Sequence, residues 1–329
     1  MIMLKPAADP PVSALRRLAD AIKPADPRVS ALRRFAVSIT ALTILGQLWL
    51  GFEQSWAQQL VAVGTSLGFT ILFEAVHAWS YGRRPGFVGR PADIVTFFLP
   101  AYISGMAIGL LLYPGNRFMP FIFATAVAVG GKYVLRAPVN GRMRHVMNPS
   151  NLGIAATLVL FSWVGVGLPY MFTENVHGAL DWIIPAVLLL SGLVINSTLT
   201  RRWPLVFAWL AAFAAQAVIR GALTDVAIVA ALAPMTGVAF LLFTNYMITD
   251  PGSTPSRPRN QVVFAVVAAA CYAVITAAHL VYGLFLCIVI TCALRAVLLW
   301  AIHLRALRRS PRTAAAFDVA PAPRPQTAA

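Results

Sequence analysis

Val262-Val-Phe-Ala-Val-Val-Ala-Ala-Ala-Cys-Tyr-Ala-Val-Ile-Thr-Ala-Ala-His279-Leu-Val-Tyr-Gly283-Leu-Phe-Leu-Cys-Ile-Val-Ile-Thr-Cys-Ala-Leu-Arg295-Ala-Val-Leu-Leu-Trp300 decides the fold class. It holds two apolar runs, each near the roughly 20 residues that a helix needs to cross a bilayer. Only the short turn His279–Gly283 separates them, which predicts a tight helical hairpin. Lipid offers no hydrogen bonds to bare backbone, so the runs must be helices.

The rest of the chain repeats this pattern. Apolar spans are expected at 36–52, 60–79, 93–113, 118–136, 152–172, 182–199, 203–219, 226–249, 261–279 and 284–302. Of 329 residues, 59% are hydrophobic and 11% charged, against about 25% charged in soluble domains. The fold class is therefore an all-α polytopic membrane protein of about ten transmembrane helices.

Charge sets the orientation. Basic residues fall in alternate loops: Arg83, Arg84 and Arg90; Lys132, Arg136, Arg142 and Arg144; Arg201 and Arg202; Arg257 and Arg259. Seven more lie in the N-terminal segment, and Arg305, Arg308, Arg309, Arg312 and Arg324 follow the last span. The other loops hold only Arg117 and Arg220 beside Glu53, Glu174, Asp181 and Asp225. This positive-inside alternation expects both termini in the cytoplasm. It also explains a net charge of +15 without nucleic acid.

Three divisions follow. Residues 1–35 form a basic cytoplasmic segment in which Ala8-Asp-Pro-Pro-Val-Ser-Ala-Leu-Arg-Arg-Leu-Ala19 recurs as Ala25-Asp-Pro-Arg-Val-Ser-Ala-Leu-Arg-Arg-Phe-Ala36. This duplicated segment suits an anionic inner membrane surface or a partner. Residues 36–302 form one membrane domain. Residues 303–329 make a Pro- and Ala-rich tail expected to be disordered.

Polar groups inside spans are costly and mark candidate sites. One cluster runs Gly130-Gly-Lys-Tyr-Val-Leu-Arg-Ala-Pro-Val-Asn-Gly-Arg-Met-Arg-His-Val-Met-Asn-Pro-Ser-Asn-Leu-Gly153. Asn148-Pro149 opens a helix there, and its N-terminus with Lys132 and His145 nearby suits an anion. It suits equally an ordinary capped helix with topogenic charge. The second runs Thr244-Asn-Tyr-Met-Ile-Thr-Asp-Pro-Gly-Ser-Thr-Pro-Ser-Arg-Pro-Arg-Asn260, where Asp250-Pro251 stops a helix before a hydroxyl-rich turn. Asn245, Thr249, Asp250 and Thr254 could ligate an ion, bond a flavin or quinone ring, or simply end the helix. Both clusters are expected on the cytoplasmic side and could share one site.

The spacing of Glu74 and His77 puts them on one helix face, as a proton relay or a mutually satisfied pair. Arg295 needs an anionic ligand, a carboxylate partner or a route to the interface. Asp93 reads as a cap for its span. Asn196, Ser197, Thr198 and Thr200 read as interhelical hydrogen-bonding groups, and the Gly64/Gly68 and Gly105/Gly109 pairs as close packing sites. Cys271, Cys287 and Cys292 read as inert packing residues. No Walker loop, dinucleotide fingerprint, haem-attachment pair, cysteine cluster or histidine-rich set occurs. ATP, haem, iron–sulfur and zinc chemistry are not expected of this chain, and no metal site is assigned.

The two clusters, about 100 residues apart within a ten-span layout, resemble the NqrB/RnfD family, the membrane subunits of the sodium-pumping NADH:quinone reductase and the Rnf complex. Arg144-His-Val-Met-Asn-Pro-Ser-Asn-Leu-Gly153 is closer still to UnbU-type membrane proteins encoded with enediyne biosynthesis genes. The resemblance implies packed helices over 36–302 in a bacterial inner membrane. It further implies binding of FMN, riboflavin or quinone, and membrane electron transfer coupled to ion movement beside redox or biosynthetic partner proteins. The chain would be a subunit of a membrane oxidoreductase rather than a stand-alone enzyme, with catalytic residues unassigned. Lys132, His145, Asn148 and Asn151 would hold the anionic part of the ligand; Thr249, Asp250 and Thr254 would line the opposing side. The Ser-Gly-Ala-Thr segment that carries covalent FMN in the respiratory complexes is absent, so flavinylation is not transferred to Thr173 and the flavin is expected to be held non-covalently. A secondary transporter or exporter of a secondary metabolite, and a non-catalytic scaffold, are the readings of other classes.

Overall fold

A computed structural model describes residues 27–309 except 140, 168–173, 195, 198 and 199. Thr173, Thr198, the first repeat copy and most of the tail lie outside these residues. The molecule is an all-helical multi-pass membrane protein with four very short strands. Helix α1 spans Pro27–Leu45 and continues as a π turn, Gly46–Leu50. Then come α2 (Trp56–Ser80), α3 (Pro91–Leu111), β1 (Leu112–Tyr113), α4 (Met119–Val134), β2 (Arg136–Val139), β3 (Arg142–His145), α5 (Pro149–Leu160) and β4 (Gly165–Val166). The second half holds α6 (Leu180–Val194), α7 (Trp203–Leu223), α8 (Ile228–Leu232), α9 (Val238–Leu242), α10 (Pro258–Ala277) and α11 (Gly283–Arg309).

Among the described residues six helices are long and apolar enough to cross a membrane, or seven when the bent pair Ile228–Thr236 and Val238–Met247 is taken as one span. Three more expected spans carry shorter helices. Of these α5 has 12 residues, about 18 Å of helix against a hydrocarbon core of about 30 Å.

Several expected boundaries move. The first helix already covers Pro27–Leu45, reaching before the expected start at 36. Residues 27–36 of the second repeat copy are therefore helical and continuous with the first span. The expected span 152–172 starts at Pro149 and leaves the helix after Leu160, where Gly165–Val166 pairs antiparallel with Leu112–Tyr113. The expected span 226–249 bends by 63° at Gly237. Pro234 can donate no backbone bond there, and Gly237 takes an extended conformation.

Several helix neighbours correspond between the halves, while α3 in addition packs on α4 and α5. In the first half α2 packs on α3 and α4, α4 on α5, and α1 on α3; in the second α7 packs on α8 and α10, α10 on α11, and α6 on α9. The correspondence extends to side chains. Tyr133 in α4 meets Phe73 of α2 at 5.9 Å, and Tyr272 in α10 meets Phe213 of α7 at 4.8 Å. The halves join where α11 packs on α5 and on β2.

Glycine packing is selective. Beside Gly105 and Gly109 a side chain would strike α2 at Val63 and Gln59, whereas Gly64 and Gly68 face open space. Gly153 meets the carbonyl of Ala124 so closely that any β-carbon would collide with backbone. Gly153→Leu should destabilise the α4–α5 contact by about 1–3 kcal/mol, read as a lowered melting temperature in detergent, while Gly64→Ala leaves it unchanged.

Candidate functional site

The basic loop between α4 and α5 folds as a hairpin. β2 and β3 pair in the register Arg136↔His145 through Val139↔Arg142, and Gly141 supplies the left-handed turn residue at φ 76°. Trp300 of α11 donates its indole N–H to the Arg136 carbonyl at 3.0 Å. The hairpin thus returns Arg144 and His145 beside Lys132 at the end of α4.

Asn148 then caps α5. Its Oδ1 accepts from the Asn151 backbone at 3.2 Å and from Ser150 Oγ at 3.0 Å, while its Nδ2 donates to the Met247 carbonyl at 3.1 Å. That carbonyl lies at the end of a π turn, Phe243–Met247, where regular helix partners run out. The neighbouring Asn245 carbonyl is captured in the same way, by Asn196 Nδ2 at 3.0 Å and Thr249 Oγ1 at 2.6 Å. Asn196 is thus an interhelical hydrogen-bonding group, as its sequence position suggests.

Asp250 orders the following turn. Its carboxylate accepts from Gly252 N (3.3 Å), Ser253 N (3.0 Å) and Ser253 Oγ (2.7 Å), and its carbonyl from Thr254 Oγ1 (2.6 Å). Arg295 donates to the Ser253 carbonyl at 2.6 Å, and Arg202 to the Pro255 carbonyl. Opposite, the imidazole of His145 lies so near Gly252 that a β-carbon there would be 2.5 Å from Nε2. The two sequence clusters therefore meet.

Between them is a cavity of about 1880 Å³, roughly twice the upper end of ordinary small-molecule sites. Lys132, Arg136, Arg144, Arg201, Arg202, Arg257 and Arg295 line it against one carboxylate, Asp250. Lys132 has no hydrogen bond or ion pair within the described residues; Asp250 acts on it at longer range. Burial pushes the His145 imidazole below its ordinary pKa, Asp250 partly offsets this, and Lys132, Arg136 and Arg144 reinforce it. Phe35 of α1 and Tyr246 stack at 5.1 Å on another wall.

No family model matches the chain, and no curated protein matches it. The site is therefore read from its own residues.

Of the residues singled out in the sequence, Lys132, His145, Asn148, Thr249, Asp250, Thr254 and Arg295 line the cavity. Asn151 does not. It is fully buried, donates to the Phe285 carbonyl at 2.9 Å and leaves its Oδ1 without a partner. Asn148 faces the cavity with its amide already committed to the frame. Glu74 and His77 stand apart from the cavity and do not bond each other. Arg83 bridges them, 2.7 and 3.1 Å from the Glu74 carboxylate and 2.7 Å from His77 Nδ1. Gly86 N and Tyr133 OH complete the Glu74 shell. The cluster clamps the loop 81–90 rather than forming a direct carboxylate–imidazole relay. Asp93 pairs with exposed Arg90 in the first turn of α3 instead of accepting a cap bond. The three cysteines are free, and the described residues hold no metal-binding group of His, Cys, Asp or Glu.

Phe35, Tyr246 and Gln261 were not singled out. Gln261 is buried and donates to the Ser256 carbonyl at 3.1 Å. Its position one turn after Pro258 was the available signal.

Because the folded chain holds His145 below its ordinary value near 6.5, protonation favours the unfolded state. Stability is kept above that value and lost as pH falls through it. The melting temperature in detergent should drop between pH 7.5 and 5, and His145→Gln should drop less over the same range.

Proposed function

We propose that the chain is an NqrB/RnfD-like membrane subunit, nearest to the UnbU type, that holds a flavin or quinone in this cavity. It takes part in membrane electron transfer coupled to ion movement, beside redox or biosynthetic partner proteins. Its ten helices cross a bacterial inner membrane with both termini in the cytoplasm. The alternation of basic loops supports that orientation, and the three short helices then span within a bundle that thins the bilayer or buries their ends.

The observation that carries the reading is the meeting of the two family-like segments on one cationic cavity. Its free donors fit a phosphate: Lys132 offers its whole ammonium group, and Arg295 four of its five N–H bonds. Phe35 and Tyr246 offer a planar apolar face to a ring system. The fit is to cations and aromatic rings rather than to the asparagines, which are spent on backbone carbonyls. A bound flavin would supply one- and two-electron chemistry. The protein's own part is to neutralise the anionic end, fix the ring and keep water from it.

Protein purified in mild detergent from flavin-replete cells should be yellow, with flavin absorbance released on denaturation. Lys132→Gln should weaken flavin retention about 10-fold or more, since a charge-assisted hydrogen bond contributes about 1.5–3 kcal/mol. Colourless, flavin-free protein would contradict the reading.

A second reading, a secondary transporter or exporter, draws on the correspondence of helix neighbours between the halves. Five spans per half is an odd number, so the halves would be inverted, with a broken helix at the cavity between them. Proton-gradient-dependent efflux from vesicles containing only this protein would favour it; gradient-independent vesicles would remove it.

A further inference from the structure

We infer that the cavity opens sideways to the leaflet on the basic-loop side and takes from it an amphipathic anion, a lipid with an acidic head and an apolar tail. The inference rests on the cavity being the ligand site, as proposed above, but needs neither flavin nor electron transfer.

Helix α11 carries the observation. At about 100° per residue, three stripes run side by side along it. Ile290, Val297 and Leu304 are 40%, 68% and 51% exposed and lie outside the cavity; on a spanning helix this is the lipid face. Leu294, Leu298 and Ile302 come next, 53%, 59% and 55% exposed, and line the cavity. Arg295 and Leu299 follow, facing inward. Two polar side chains fall between the lipid face and Arg295: Thr291, buried with its hydroxyl given to the Cys287 carbonyl, and exposed Arg305 toward the C-terminal end of the helix. Helix α10 repeats the arrangement: exposed Val262 and Val266 lie outside the cavity, and Val263 and Val267 line it beside them. Along the middle of α11 and the start of α10 an apolar surface therefore passes from bilayer to cavity, with Arg305, Arg257 and Asn260 standing toward the basic-loop end.

The other end of that surface is cationic. Arg295 gives one hydrogen bond, to Ser253, and Lys132 gives none among the described residues. A water-soluble anion would satisfy these donors but leave the apolar wall wet. A neutral lipid would cover the wall but leave seven cations facing one carboxylate. An acidic head with a tail meets both conditions, and the cavity volume admits it.

The test uses the full chain, delipidated in detergent and examined by native mass spectrometry with dioleoyl phosphatidylglycerol, the matching phosphatidylcholine, and glycerol 3-phosphate. One phosphatidylglycerol should be retained per chain, about 10-fold or more in preference to phosphatidylcholine, and glycerol 3-phosphate should not displace it. Arg295→Gln and Lys132→Gln should each cut the preference about 10-fold, while Arg84→Gln on the exposed loop should not. Leu298→Asn should weaken both lipids and leave their ratio intact, which separates the tail wall from the head site. Equal retention of the two lipids, a preference unchanged in both cation variants, or full displacement by glycerol 3-phosphate would overturn the inference. Yellow protein that does not discriminate the lipids would overturn it and leave the redox reading standing; colourless protein selective for phosphatidylglycerol would do the reverse.

Discussion

Inside a bilayer, a backbone carbonyl without a donor costs several kcal/mol, and this chain interrupts its helices where such carbonyls accumulate. The π turn at Phe243–Met247 and the stop at Asp250-Pro251 expose main-chain oxygens. Two asparagines answer them: Asn148 holds Met247 and Asn196 holds Asn245, while Asn151 adds a second bond to the Phe285 carbonyl in the first turn of α11. Arg202 and Arg295 hold Pro255 and Ser253. Each bond joins elements distant in sequence, so the broken backbone is itself what fastens α5, α9, α10 and α11 around one space.

This divides the polar residues into two sets. The amides and hydroxyls are saturated by the frame and can offer a ligand only residual acceptor capacity. Two of the cations are not: among the described residues Lys132 makes no hydrogen bond, and Arg295 makes one. Recognition at this cavity is thus governed by charge and by apolar walls, with the frame setting where the charges stand. Glu74, His77 and Arg83 form a separate assembly whose ion pair fixes the loop 81–90.

Much of this was legible in the sequence. Apolar runs announced the helices and the class, and Asn148-Pro149 announced a cap that forms with its hydroxyl and amide partners. The convergence of two clusters a hundred residues apart was expected because the charge pattern put both on one side of the membrane. What was hidden has physical reasons. The break at Gly237 lies in a run that is apolar enough to count as one span, so hydropathy passes over it. Asn151 reads in the sequence as a ligand group, and that its amide turns to Phe285 O depends on packing with a helix more than a hundred residues away. That residues 27–35 are helical was hidden because a basic stretch reads alike as surface segment or helix root. The correspondence of neighbours between the halves lives in packing partners and shows no shared motif beyond Tyr133 and Tyr272.

The meeting of the hairpin strand with the Asp250 turn is the contact on which the cavity, its charge and its proposed ligands all depend. Cysteines introduced as His145→Cys and Gly252→Cys in the full chain in native membranes, treated with a short bismaleimide and mapped after proteolysis, test it directly. The account predicts an intramolecular crosslink between positions 145 and 252, absent from either single variant. Two cysteines that each take a monofunctional maleimide yet never crosslink would contradict it.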